Sequence, residues 1–317
     1  PGEYYIDREA GVLYFWPPTG KPEGRPAPPQ AQARAASKGK GRGPAPQPKA
    51  LVSFAPNLLK VAGASHLAFE GMILEASRGT AVTISGGENV RVVTCVIRNT
   101  GSYAVSVSGG KKHAVVGCDM YEMADGGVIL EGGDRKTLTP AGHEAVNNHI
   151  HHYARWNRIL KPAINLVGCG NRAAHNLIDN APHKGMLFSG NDHVIEFNEL
   201  HSVVYEANDA GAIYAGYDWS MRGNIIRYNY FHHIVGFEGK GCVGVYLDDM
   251  FSSAHIYGNV FYKVARAAFI GGGRDTVIEN NIFVECRPAI HVDARALGWA
   301  SGSFNTLKTR LEAMPYK

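Results

Sequence analysis

From Leu51 onward the apolar residues recur in short alternating runs, separated by glycine-rich or polar turns, and the runs themselves repeat. Each unit reads as an apolar strand, a turn, a second strand carrying I/V-x-x-N/C-x-I/F/L, and a loop. Aligned on the N/C position, the units fall at Gly71, Cys95, Cys118, Asn148, Asn176, Asn198, Asn229, Asn259 and Asn281. The intervals are 24, 23, 30, 28, 22, 31, 30 and 22 residues. A base period of 22–24 with six to nine residues occasionally added predicts a coiled solenoid whose extra length loops out on one side. The LxxLxLxxN pattern of leucine-rich repeats is absent. Asn at one position of successive coils predicts an internal ladder of stacked amides, and with it an all-β right-handed parallel β-helix of about nine or more coils.

The pattern differs at both ends. Residues 1–20 read as a β-hairpin, YYID and VLYFW around a turn at Arg8–Gly11, ended by Pro17 and Pro18. Residues 21–50 are rich in Pro, Ala and Lys without apolar periodicity and read as a disordered insertion. The solenoid takes residues 51–300. In 301–317, Leu307, Leu311 and Met314 stand at helical spacing, which predicts a short helix capping the open end. The chain starts at Pro1 without a leader and is read as trimmed from a longer protein.

Charge changes the picture once. The formal net charge is +4, but residues 22–49 carry six basic residues against Glu23, which is +5, so the remainder is near −1. A basic surface for nucleic acid is not expected on the folded part, and no apolar run is long enough to span a membrane. The five cysteines lack metal spacing and read as small core residues. GGENV and GGGRDT read as solenoid turns, not nucleotide loops, and no cofactor is expected.

The chemistry concentrates between Asn208 and Met250. Aligning AINLVG, GMLFSG, AIYAGY, GVYLDD, AFIGG and AIHVDA places Ile164, Met186, Ile213 and Val245 in one inward column. Asn165, Leu187, Tyr214, Tyr246, Phe269 and His291 form an outward one. Two positions on, the outward face carries Gly216, Asp248, Gly271 and Asp293, with the glycines clearing room beside Asp248. Asp218 is expected one coil from Asp249 or Met250, within about 5–8 Å of the Asp248–Asp249 pair. Asp209 joins if its loop folds over the face. Carboxyls at such separations serve as nucleophile and acid, or as acid and water-activating base. Tyr214 and Tyr246 offer a sugar platform, Trp219, Arg222 and Arg274 loop contacts, and His232, His233, His291 and Asp293 further substrate contacts. Asp at strand ends also forms turns, and the two tyrosines also fit a structural ladder.

The stretches GEYYIDREAGVLYFWPP, DAGAIYAGYDWSMRGNIIRYNYFHHI, VYLDDMFSSAHIYGNVFY and AAFIGGGRDTVIENNIFVECRPAIHVDAR resemble bacterial right-handed β-helix proteins of polysaccharide degradation. Among characterised enzymes the likeness is nearest to glycoside hydrolase family 141, which includes α-L-fucosidase and xylanase activities. The resemblance implies two catalytic aspartates on adjacent coils, Asp209 or Asp218 with Asp248 or Asp249. It also implies a secreted or periplasmic location and a polysaccharide or oligosaccharide substrate. Two alternatives stay open: a polysaccharide lyase, with Lys240, Arg222 and Arg274 as its basic groups and Ca²⁺ as a possible cofactor, and a non-catalytic carbohydrate-binding solenoid.

Overall fold

The computed structural model describes residues 4–15 and 52–313. Contacts divide the chain into Pro1–Val52 and Ser53–Lys317. In the first unit, strands Tyr4–Asp7 and Val12–Phe15 pair antiparallel. Asp7 Oδ1 accepts from the backbone of Glu9 and Ala10 at 3.0 and 2.9 Å, which closes the turn. Trp16 and the proposed insertion at 21–50 lie outside the described residues.

The second unit is a right-handed parallel β-helix. Every coil gives one strand to each of three parallel sheets, one of ten strands and two of nine. The ten-stranded sheet, here the first, holds Gly211–Gly216, Val243–Asp248, Arg266–Gly271 and Ile290–Asp293. The intervening repeat segment Gly223–Phe231 is in fact two strands, Asn224–Arg227 in the second sheet and Tyr230–Ile234 in the third. Inward side chains stack coil on coil. Ile164, Met186, Ile213 and Val245 are register partners, and all four are buried. Each such aliphatic side chain contributes about 1.5–3 kcal/mol on leaving water.

The corner between the second and third sheets explains the repeat motif. There one residue per coil takes a left-handed backbone: Gly71, Thr94, Gly117, Asn147, His175, Phe197, Tyr228, Gly258 and Asn280 all have φ between 48° and 66°. The sharp bend leaves amides facing the core, and the next residue satisfies them. Asn148, Asn176, Asn198, Asn229 and Asn259 each donate Nδ2 to Oδ1 of the next rung at 2.9 Å, ending on Asn281. The ladder therefore stands where the repeat placed it, with Cys118 bonded onto it through Asn148 Oδ1. One rung shifts: Ile73 pairs with Val96, so Met72, not Gly71, stands opposite Cys95. A second ladder, not foreseen in the repeat, runs along another corner. His113, His143, Asn171, His193 and Asn224 each accept a backbone N–H of the preceding coil through Nδ1 or Oδ1, at 3.0–3.2 Å. All five cysteines are free thiols, four of them buried, as core filling requires.

The extra residues of the long coils fall before or after first-sheet strands, at 133–143, 152–163, 204–210, 217–223, 235–242 and 249–253. Loops thus crowd the two edges of that sheet and leave the other corners tight. The C-terminal helix, Ser301–Ala313, also gathers there. It does not plug the open end. Leu307 is buried with Met250 and Ala300, Phe304 meets Trp219 edge-on at 5.0 Å, and Arg310 lies over Tyr217. Its apolar stripe finds unpaired apolar turn residues along the flank, and those draw it back over earlier coils; Met314 lies outside the described residues. No described helix is long and apolar enough to cross a membrane.

Candidate active site

The outward column of the first sheet forms as its alternation requires. Leu187, Tyr214, Tyr246, Phe269 and His291 are successive register partners, and Gly216 pairs with Asp248 as Gly271 does with Asp293. Tyr246 stacks on Phe269 at 4.8 Å, Phe269 on His291 at 4.2 Å, and Tyr214 meets Tyr246 edge-on at 5.5 Å.

This face is not an open platform. Tyr246 and Phe269 are nearly buried, because the first turn after the last strand, Arg295–Leu297, folds across them. Arg295 Nη1 reaches Asp248 Oδ1 at 2.5 Å and Asp249 Oδ1 at 3.2 Å. Its Nε and Nη2 donate to Asp293 at 3.0 and 2.9 Å. One guanidinium thus ties three carboxylates from two non-adjacent coils. The room beside Asp248 that glycine was expected to clear for substrate is taken by this side chain: a Cβ on Gly271 would stand 2.6 Å from Arg295 Cζ. On the other side, a Cβ on Gly216 would stand 3.2 Å from the Tyr214 hydroxyl, which donates to Asp248 Oδ2 at 2.9 Å.

Asp249 and Met250 follow the strand in left-handed conformation, with φ of 40° and 62°, and the turn closes through Phe251 N–H to Asp248 O at 2.9 Å. Consecutive left-handed residues without glycine carry strain of about 1–3 kcal/mol each. Here the bend sets the Asp249 carboxyl beside that of Asp248, with about a third of its side chain open to solvent. Burial, then the Asp248 charge, push the Asp249 carboxyl above the usual range, and Arg295 only partly opposes them. For Asp293 burial works the same way, but the hydrogen bonds from Arg295 outweigh it and hold the carboxyl low. Asp209, exposed at the start of the Gly211–Gly216 strand, accepts from the Tyr246 hydroxyl at 3.2 Å. Burial and the neighbouring carboxylates push both tyrosine hydroxyls up, so they stay donors. Lys184, buried, lays its ammonium 3.3 Å over the Tyr214 ring. Burial lowers its pKa to about 8, against the pull of Asp248 and Asp209.

The structure therefore gathers Asp209, Asp248, Asp249, Asp293, Tyr214, Tyr246 and His291. It engages the remaining expected residues elsewhere. Asp218 closes its own turn, accepting from Ser220 N at 2.7 Å and facing Arg135 at 3.7 Å. Trp219, Arg222 and Arg274 line a groove of about 730 Å³ on the flank, between the turns and the C-terminal helix, with Arg222 bonded to Asp275. His232 and His233 stand on the third sheet, bonded to each other at 2.8 Å, and His232 to Glu199 at 3.1 Å. They cannot share the first-sheet site, because a coil turns its corner between them and it. Lys240 pairs with Glu238 in its own loop. The sequence reading missed Arg295 and Lys184. Arg295 had a signal, since it continues the outward alternation of His291 and Asp293; Lys184 had only its apolar setting in PHKGMLF.

The family described as right handed beta helix region matches residues 162–309. No curated protein matches the chain. Among solved structures, one titled glycoside hydrolase is similar with a TM-score of 0.48 and 15% identity, over 66% of this chain and 38% of that one. An alginate lyase from Paenibacillus sp. str. FPU-7 has a TM-score of 0.48 and 14% identity, over 70% of this chain and 80% of that one. The GH136 lacto-N-biosidase from Eubacterium ramulus has a TM-score of 0.33 and 12% identity, over 70% and 51%. The chain thus spans well under half of the first of these and about half of the third.

Proposed function

We propose that the chain is a secreted glycoside hydrolase, of the kind its sequence resembles in family 141, cleaving a neutral glycan such as a xylan or fucosylated glycan at the Asp248–Asp249 turn. The observation that carries this reading is the unequal housing of two adjacent carboxyls. Asp248 is tied closely to Arg295 and Tyr214, whereas Asp249 meets Arg295 at longer range, is about a third open to solvent and holds its proton more tightly than an ordinary aspartate. Carboxyls whose environments drive them apart are how one site supplies both an acid and a negative charge. In this scheme Asp249 protonates the departing glycosidic oxygen. Asp209, held in no salt bridge among the described residues and oriented by Tyr246, takes the proton of the attacking water or attacks directly. Asp248 stabilises the positive charge developing on the sugar ring. Tyr214 and Arg295 position Asp248.

The charge balance favours a neutral substrate. Four carboxylates, Asp209, Asp248, Asp249 and Asp293, face two cations, Lys184 and Arg295, and Arg295 is already committed to three of the four. A uronate polymer would meet net negative charge. One observation favours the lyase alternative: Lys184, with its lowered pKa beside Tyr214, is placed to take a proton. Product chemistry separates the two. Incubation with neutral xylans and fucosylated glycans, and in parallel with pectin and alginate, should give new reducing ends on a neutral glycan without ultraviolet absorbance. Absorbance from an unsaturated uronate, lost on Lys184→Met, would replace the hydrolase with a lyase.

A further inference from the structure

The third sheet carries a second concentration of chemistry, remote from the first-sheet carboxylates. Its outward columns are Asp119, His149, Leu177 and Glu199, and beside them Tyr121, His151, Asp179, His201 and His232. Parallel pairing sets Asp119 opposite His149 on the adjacent coil, and strand alternation sets His151 two residues on, on the same face. Donor atoms of Asp119, His149 and His151 all lie within 4.8 Å of one another. Asp119 Oδ1 stands 3.2 Å from His151 Nε2 and 3.7 Å from His149 Nδ1. The two imidazoles stack at 4.1 Å, so these nitrogens converge on one carboxylate oxygen.

What distinguishes this trio from a chance surface cluster is the use of the other ring nitrogens. His149 Nε2 is 2.8 Å from Asp179 Oδ2, a carboxylate that is itself nearly buried and further fixed by Asn180. His151 Nδ1 is 2.7 Å from His152 Nδ1, which the left-handed backbone at His152 brings round to the same side. Each imidazole can therefore donate its remote N–H to an orienting acceptor while its near nitrogen keeps a lone pair toward Asp119. Metal-bound histidines are held in that way, the outer partner fixing tautomer and ring angle.

We propose that Asp119, His149 and His151 form a binding site for a divalent transition-metal ion of the zinc class. Asp179 and His152 are its outer supports, and a fourth position is left to water or an external ligand. Two imidazoles and one carboxylate suit Zn²⁺ in tetrahedral coordination and select against Ca²⁺ and Mg²⁺, which take oxygen. The ligands come from two adjacent coils and Asp179 from the next, so an ion there would tie the first two together directly and the third through His149.

Isothermal titration of the metal-free chain with Zn²⁺, repeated with Co²⁺ and read by its visible spectrum, tests the assignment. One ion should bind per chain with a tetrahedral cobalt spectrum. Asp119→Asn and His151→Ala should each weaken binding at least about 100-fold, and Asp179→Asn about 10–100-fold. Each variant is checked by circular dichroism, and His255→Ala, on the second sheet, should change nothing. Binding that survives His151→Ala but is lost on His232→Ala would place the ion on the neighbouring Glu199–His201–His232 cluster and overturn the assignment. No binding by a folded wild-type chain would overturn it as well.

Discussion

Replacing Arg295 with Met removes the guanidinium, which lies over the Phe269 and Trp299 rings, but keeps an unbranched apolar stem. The side chain is almost fully buried, and its loss takes from Asp248, itself nearly buried, its salt-bridge partner. Breaking a buried ion pair from one side costs about 3–5 kcal/mol. Here the sign with pH is also fixed. The Asp293 carboxyl is held low in the folded chain, so its share of stability is present above the unfolded aspartate value of about 3.9 and lost as pH falls through the folded value. In the variant Asp249 and Asp293 lose the cation that favours their charged forms and keep their protons to higher pH, so the penalty shrinks on acidification. We expect about 3–5 kcal/mol of destabilisation near pH 7. Near pH 4.5 the penalty should be smaller by at least about 1.4 kcal/mol, one proton over one pH unit. Urea unfolding at both pH values, followed by tryptophan fluorescence, measures this, since Trp219 and Trp299 lie at this end of the solenoid. A penalty under about 1 kcal/mol, or one independent of pH, would refute the three-carboxylate clamp and point to lost packing alone.

Gly271→Ala tests the same clamp without removing a charge. Its backbone accepts alanine, but the Cβ would stand 2.6 Å from Arg295 Cζ, so turnover should fall while stability drops by only about 1–3 kcal/mol; unchanged turnover would show that the guanidinium need not sit there. His143 is pushed down to about 4, first by burial and then by His113. Below the unfolded value of about 6.5 the unfolded chain takes up a proton that the folded chain refuses, costing stability by about 1.4 kcal/mol per pH unit. His143→Asn copies the rung that Asn171 and Asn224 make and should move the acid-unfolding midpoint to lower pH; an unmoved midpoint contradicts the ladder account. Asn229→Ala orphans the backbone N–H of Asn198, at about 1–3 kcal/mol, while the Asn198 amide keeps the carbonyls of Ala173 and Glu196. The same change at the terminal, half-exposed Asn281 should cost clearly less in thermal unfolding, and equal costs would count against an axial ladder.

The columns Tyr214–Tyr246–Phe269–His291 and Gly216–Asp248 were legible in the sequence because parallel pairing and strict alternation leave the chain almost no freedom once one strand is registered. The Asn ladder was legible because a single residue type marks it. Where no Asn or Cys stood in the rung, as at Met72, the alignment slipped to Gly71. The second ladder escaped because His and Asn share it, and a mixed column shows no repeating letter. The site suffered differently. Asp218 and Asp249 both follow a first-sheet strand, but Ser220 and Arg135 engage one while strained backbone and Arg295 position the other, and neither effect is local in sequence. Arg295 continues the outward alternation of His291 and Asp293, but it belongs to the turn after the last strand, where no further coil marks what its side chain reaches back to. The helix was read as a cap because its stripe is visible but its receiving surface, Met250 and Trp219, lies dozens of residues upstream.

The central claim is that glycosidic cleavage occurs at the Asp248–Asp249 turn and not on the flank. It is tested most directly by comparing kcat for wild type, Asp249→Asn and Asp218→Asn on the first glycan found to yield reducing ends. Loss of a positioned acid should lower kcat by about 10²–10⁴-fold in Asp249→Asn, with Asp218→Asn near wild type. Wild-type turnover by Asp249→Asn together with a dead Asp218→Asn would contradict the account and move the reaction to the groove beside Trp219.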